Sequence, residues 1–163
     1  MIRRIGVSMN NPLWDYSLAT YSRDGVAQTC LQLQDTYGMD VNLLLYAAWL
    51  AQKERYLSRD HLLEVDALIA DWRNNVVRPL RALRRYLHAE PPADGIIDEI
   101  KTLELRAEQQ QQDRMYAFQQ RAAVLPRAAR PLQENLVQVA QLFSPENSGW
   151  ASGLAHLVAL LSP

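Results

Sequence analysis

Cysteine occurs once, at position 30, so no disulfide can close within this chain. Cys30 falls in an apolar helical register between Ala27 and Leu33, which predicts a buried thiol rather than a reactive one. Glycine is scarce, with six residues in 163, while Leu, Ala, Gln and Arg are abundant; that balance predicts an all-α protein. An excess of either charge is missing too. Seventeen Lys and Arg against eighteen Asp and Glu leave a formal net charge of −1, which excludes a surface built as a whole for nucleic acid or anionic lipid but leaves room for a local patch. The N-terminal stretch MIRRIGVSMNNPLWDYS has no continuous apolar run of the kind a secretory signal carries, so the expected location is cytoplasmic. The longest hydrophobic run, Val41 to Ala51, is about half of the ~20 residues a spanning helix needs, and no membrane association is expected.

Helical periodicity is plentiful. Asn11 before Pro12 reads as an N-cap with proline at the first helical position, opening a short helix to about Tyr21. Asp24 is expected to cap a second helix that ends at Gly38, and Asp40 a third. In the third, over residues 41–54, ten of the eleven residues from Val41 to Ala51 are apolar, so this helix should be central. A fourth helix begins near Ser58, with its register continuing through Val76, Leu80, Leu83 and Leu87. Pro79 predicts either a kink in one long helix or a break. After AEPPADG a fifth helix should run from about Asp94 to Ala123, burying Ile96, Ile100, Leu103 and Ala107 and turning polar in its middle. A sixth spans Pro131 to Phe143. A last amphipathic helix carries Trp150, Leu154, Leu157 and Leu161, and residues 148–162 read as a C-terminal arm that packs on its own domain or on a second copy. The fold expected is thus one helical domain over residues 1–163, a compact bundle of six to seven helices around helix 41–54. Residues 1–10 are read as a poorly ordered tail or an upstream-start extension, because Met9 is itself a plausible start.

The stretch WDYSLATYSRDGVAQTCLQLQDTYGMDVNLLLYAAWLA, from Trp14 to Ala51, resembles the signature of a family of uncharacterised proteobacterial proteins, a domain of unknown function. The later segments VVRPLRALRRYL and LELRAEQQQQ resemble that family's second half. The resemblance implies a bacterial, cytoplasmic protein and brings no reaction, cofactor or catalytic residue with it.

Motifs for chemistry are thin. There is no Gly-x-Ser-x-Gly turn, no phosphate-binding glycine pattern and no Glu-x-x-His pair. The three histidines, His61, His88 and His156, lie in different segments, so neither a metal nor another cofactor is expected. Glu104 and Glu108 share a helix face and read as a solvated acidic surface. The strongest asymmetry is RNNVVRPLRALRRYLH, in which Arg73, Arg78, Arg81, Arg84 and Arg85 occur without an acid. These arginines either pair with carboxylates inside the fold, meet an acidic partner protein, or grip RNA phosphates, the last being the weakest reading for want of aromatic stacking residues nearby. The function expected is a small helical protein–protein interaction or regulatory module, with self-association as a further expectation and nucleic acid disfavoured. The competing class is an all-helical enzyme whose polar site gathers around Asp35, Asp40 and Asn42.

Overall fold

Nine consecutive residues, Asn42 to Leu50, are buried, and the other helices are arranged around them. A computed structural model describes residues 10–92 and 95–163. The expectations for the tail before residue 10 and for a helix start at Asp94 lie outside the described residues. The elements are α1 (Pro12–Tyr21), α2 (Val26–Tyr37), α3 (Val41–Gln52), α4 (Arg59–Trp72), α5 (Arg78–Ala89), α6 (Ile96–Arg121), α7 (Pro131–Phe143) and α8 (Ala151–Leu161). A π-helical segment, Arg73–Val77, joins α4 to α5 without a break, and a 3₁₀ turn, Ser148–Trp150, leads into α8. The result, among the described residues, is seven continuous rods. Among the described residues the only β-type pairing is an isolated bridge between Arg55 and Arg127.

The central rod, α3, packs against α1, α2, α6 and α7, as its apolar circumference requires. Asn135 of α7 locks the end of α3 in place. Fully buried, it accepts from the Leu57 amide at 2.7 Å and donates to the carbonyls of Arg55 (2.9 Å) and Ala47 (3.2 Å). Asn11 caps α1, its Oδ1 accepting from the amides of Leu13 and Trp14. Asp40 caps α3 through a 2.8 Å bond from the Asn42 amide.

Asp24 does not cap α2. Gly25 holds the N-cap position in the left-handed region, with φ 81°, and makes no side-chain cap bond. The reversal from α1 to α2 needs a left-handed residue immediately before Val26, a conformation cheap only for glycine, so Asp24 is left exposed in the turn.

Pro79 is accommodated by the π segment. Its ring would crowd the carbonyl four residues back in a regular helix; the wider register, in which the Arg78 amide bonds to the Arg73 carbonyl, lets the rod continue. Beyond it, no residue of α5 is buried, and Leu83 is 43 % exposed. The expected apolar stripe of α6 is also displaced: Ile96 and Leu103 are exposed, and burial begins at Glu104 and continues through Ala107, Gln111, Gln112 and Met115. The reason is tertiary. The first half of α6 packs on α5 rather than on the core, and only its second half meets α3.

The C-terminal stripe is covered by its own chain. Leu154 and Leu157 are buried against α2 and α7, and the Arg23 guanidinium donates to the Leu160 carbonyl at 2.6 Å. Gly153 sits so close to α2 that a Cβ there would lie 3.1 Å from Leu33.

Candidate functional site

The glutamine run of α6 forms a polar seam inside the bundle. Gln112 donates to Asn42 Oδ1 at 2.9 Å and accepts from the Ser17 hydroxyl at 2.9 Å, tying α6 to α3 and α1. Gln111 donates to Asp40 Oδ2 at 2.8 Å. The residue after Gln112, Asp113, accepts from the Asn11 side-chain amide at 2.7 Å. Neither glutamine has any solvent exposure, so one face of the polar middle of α6 is interior, while Gln110 and Arg114 on the other stand exposed.

The arginines line up along this seam. Arg73 is buried and donates from Nη1 to Asp40 (3.2 Å) and Asp66 (2.7 Å). Burial alone would lower its pKa, but the two carboxylates outweigh that and raise it. Arg81 bonds Glu104 at 3.3 Å and Glu108 at 2.9 Å, and Arg84 clasps Glu104 through two nitrogens. Arg85 meets Asp35 at 2.7 Å on the surface. Among the described residues Arg78 has no carboxylate; it donates to Asn74 Oδ1 at 2.9 Å.

Two expectations change here. Arg73 is buried rather than part of an exposed arginine face, its Nη1 held by Asp40 and Asp66. Glu104 and Glu108 are not a solvated acidic face: Glu104 is buried between two guanidinium groups, and burial, followed by the Glu104 charge, raises the Glu108 pKa against the pull of Arg81. Glu104 lies where α5 crosses α6, and acids at that register meet the arginine stripe. Internal pairing is therefore the observed state of Arg81 and Arg84.

Two cavities flank Arg81. The first, about 360 Å³, is an apolar groove between α1, α2, α5 and α6, lined by Trp14, Leu18, Tyr21, Leu31, Val41, Leu45 and Leu105, with Arg81, Arg84, Lys101, Glu104 and Glu108 on its wall. Leu18 and Leu105 are each 49 % exposed, which is unusual for leucines sharing one concave surface. Burial, with smaller effects from Cys30 and Glu108, pushes the Tyr21 phenol up to about 12, so it is a neutral hydrogen-bonding group at physiological pH. The second cavity, about 390 Å³, is polar and lies between α2, the π segment, α5 and α6, with Asp35, Asp40, Arg73, Arg78, Arg81, Arg85 and Gln111 on its lining.

Asp35, Asp40 and Asn42 do not converge. Asp35 and Asp40 line the polar cavity and Asn42 the apolar one. The bonds of Asp40 and Asn42 hold helices together, and the Arg85 guanidinium keeps the Asp35 carboxyl below its usual range. Cys30 is buried, its thiol pushed up to about 12 by that burial. His61 lies in the core, its Nε2 2.6 Å from the Tyr46 hydroxyl. No group of three or more potential metal ligands occurs among the described residues, and no helix there is long and apolar enough to cross a membrane.

A family model described as "Protein of unknown function (DUF2390)" matches residues 12–115. The chain belongs to that family. The DUF2390 span contains every residue that lines the two cavities, and it ends inside α6, before α7 and α8 begin. No curated protein and no solved structure matches the chain.

Sequence reasoning passed over Ser17, Gln111, Gln112 and Asn135 as parts of the interior. A signal for one of them, Gln111, was available: Glu104, Ala107, Gln111 and Met115 follow steps of three and four, one continuous helix face ending in a methionine.

Proposed function

We propose that the protein is a cytoplasmic interaction module that receives an acidic, apolar segment of a partner protein in the groove between α1, α2, α5 and α6. The observation that carries this reading is the pairing of exposed apolar side chains with a cationic wall: Leu18, Leu31 and Leu105 lie open beside Arg81, Arg84 and Lys101. Across both cavities six cationic side chains face four carboxylates, in a chain whose net charge is −1. The groove itself carries Arg81, Arg84 and Lys101 against Glu104 and Glu108, a small cationic excess in a slightly anionic molecule, which favours an acidic occupant in orientation and encounter rate. Arg81 spends Nε on Glu104 and Nη2 on Glu108, and Arg84 spends both on Glu104, so among the described residues their Nη1 groups remain to meet a carboxylate. Cytoplasmic residence is supported by the single, buried cysteine.

The enzyme reading has less support, because its carboxylates and Asn42 are occupied by contacts between helices. The RNA reading has less still, since a polyanion is disfavoured by a chain whose net charge is −1.

Peptide-library selection on the wild-type protein, with the enriched peptides then measured on the Leu18→Arg/Leu105→Arg variant, tests the proposal. Both leucines are half-exposed, so the variant should fold, with circular dichroism as the check. Enriched peptides should combine leucine or aromatic residues with Asp or Glu and should bind the variant about tenfold or more weakly, since each apolar anchor is worth roughly 1.5 to 3 kcal/mol. Peptides that bind both proteins equally, or a basic consensus, would remove the groove from consideration.

A further inference from the structure

We propose that the polar cavity on the far side of Arg81 is a phosphoryl-binding site, for inorganic phosphate or a small phosphomonoester. Its lining brings four guanidinium groups, Arg73, Arg78, Arg81 and Arg85, against two carboxylates, Asp35 and Asp40. Asp66 also holds Arg73, and Glu104 and Glu108 hold Arg81, so the charge open to a ligand is that of Arg78 and of the unused donors of Arg85. Arg78 and Arg85 stand exposed. Among the described residues Arg78 uses only Nη1, toward Asn74, and Arg85 only Nη2, toward Asp35. Each keeps most of its donor fork for an incoming oxyanion, the geometry at which arginine excels.

A second, independent observation falls at the same place. Among the described residues the buried side-chain polar atoms without a hydrogen-bond partner are Arg73 Nε and Gln111 Oε1. Both residues line this cavity. Rotating the Gln111 amide cures nothing, because its Nε2 already serves Asp40 Oδ2, and the exchange would turn an oxygen toward a carboxylate. Buried polar groups in native proteins are nearly always satisfied, so an open donor and an open acceptor on residues that line one cavity point to a polar ligand there. Hydrogen phosphate presents acceptors and one donor together, whereas a dianionic phosphomonoester presents acceptors alone and would serve Arg73 Nε but not Gln111 Oε1. Both atoms are closed to solvent, so the exposed arginines make the first capture and a side-chain adjustment completes the contact. The cavity volume, about 390 Å³, leaves room for a small group esterified to the phosphate.

Thermal shift and titration calorimetry, at constant ionic strength held with chloride, supply the test. Inorganic phosphate and phenyl phosphate are the probes, and succinate is the carboxylate control. Saturable binding of a phosphate probe is expected, with succinate at least tenfold weaker. Arg78→Ala should weaken the phosphate probe by about tenfold or more, the loss of one charge-assisted hydrogen bond. Arg78 contributes no ion pair to the fold, and Arg78→Lys should recover part of the affinity, which separates binding from folding. Tighter binding of phenyl phosphate identifies an ester as the ligand, and equal binding identifies free phosphate. Absence of saturable binding in the wild type, or identical affinity in Arg78→Ala, overturns the site. Neither result bears on the groove, whose peptide test turns on Leu18 and Leu105.

Discussion

Replacing Asp40 by asparagine separates two roles that one side chain plays. As a cap, Asp40 accepts the Asn42 amide, and asparagine serves that position about as well as aspartate. If capping were the whole role, Asp40→Asn would be nearly silent and Asp40→Ala would cost about 1 kcal/mol. The second oxygen changes the sum, because it accepts from Gln111 Nε2 at 2.8 Å and from Arg73 Nη1 at 3.2 Å, with side-chain exposures of only 5 % for Asp40 and 9 % for Arg73. In the asparagine variant a neutral NH₂ stands where two donors point, and Arg73 keeps only Asp66. Removing one partner of a buried pair costs about 3 to 5 kcal/mol when the other is stranded. The remaining 2.7 Å bond to Asp66 reduces this, so Asp40→Asn should cost about 2 to 3 kcal/mol, the scale of a hydrogen bond to a charged group. Asp40→Ala, which also loses the cap, should cost about 3 to 5 kcal/mol. Urea denaturation followed by circular dichroism measures both, and the asparagine variant should melt roughly 4 to 12 °C lower for a chain of this size. An asparagine variant within about 0.5 kcal/mol of wild type, beside an alanine variant about 1 kcal/mol down, would refute the ion-pair reasoning and leave only the cap.

Burial lowers the His61 pKa in the folded state, against a smaller opposing effect of Glu64, so the unfolded chain binds the proton more readily. His61 therefore contributes stability that is present above its unfolded value of about 6.5 and is lost as pH falls toward the folded value. The pH dependence of the urea midpoint should be shallower in His61→Gln below about pH 6.5, and identical slopes would show that His61 titrates alike in both states. Truncation after Phe143 removes the buried Leu154 and Leu157, together worth roughly 3 to 6 kcal/mol before entropy. The shortened chain should unfold at clearly lower urea concentration or aggregate, and an unchanged midpoint would show that α8 adds nothing to the core.

Periodicity along the chain was enough to read the all-helical class, the place of α3 at the centre and the cap at Asn11, because each depends on local spacing or local hydrogen bonding. Ten apolar residues in eleven cannot face water on any side of a helix, so the burial of Asn42 to Leu50 needed no knowledge of its neighbours. The five arginines were visible in the same way, but their destination was not. Whether Arg81 and Arg84 meet solvent or Glu104 depends on how α5 lies across α6, a relation between residues about twenty positions apart that only packing decides. The glutamine run shows the same division. Its polarity is local, whereas its burial follows from α1, α3 and the π segment closing over it with matching partners in Ser17, Asn42 and Asp40. Asp24 failed as a cap because the turn before α2 required a left-handed residue and Gly25 stood next to it. Composition and periodicity thus determined which segments are helices and which helix is central, since hydrophobic burial is additive along one face. Tertiary structure alone decided which polar groups were paired, which cavities opened on either side of Arg81 and which buried atoms went without a partner, because hydrogen bonds and ion pairs depend on the distance and direction between specific atoms that the chain order does not encode locally.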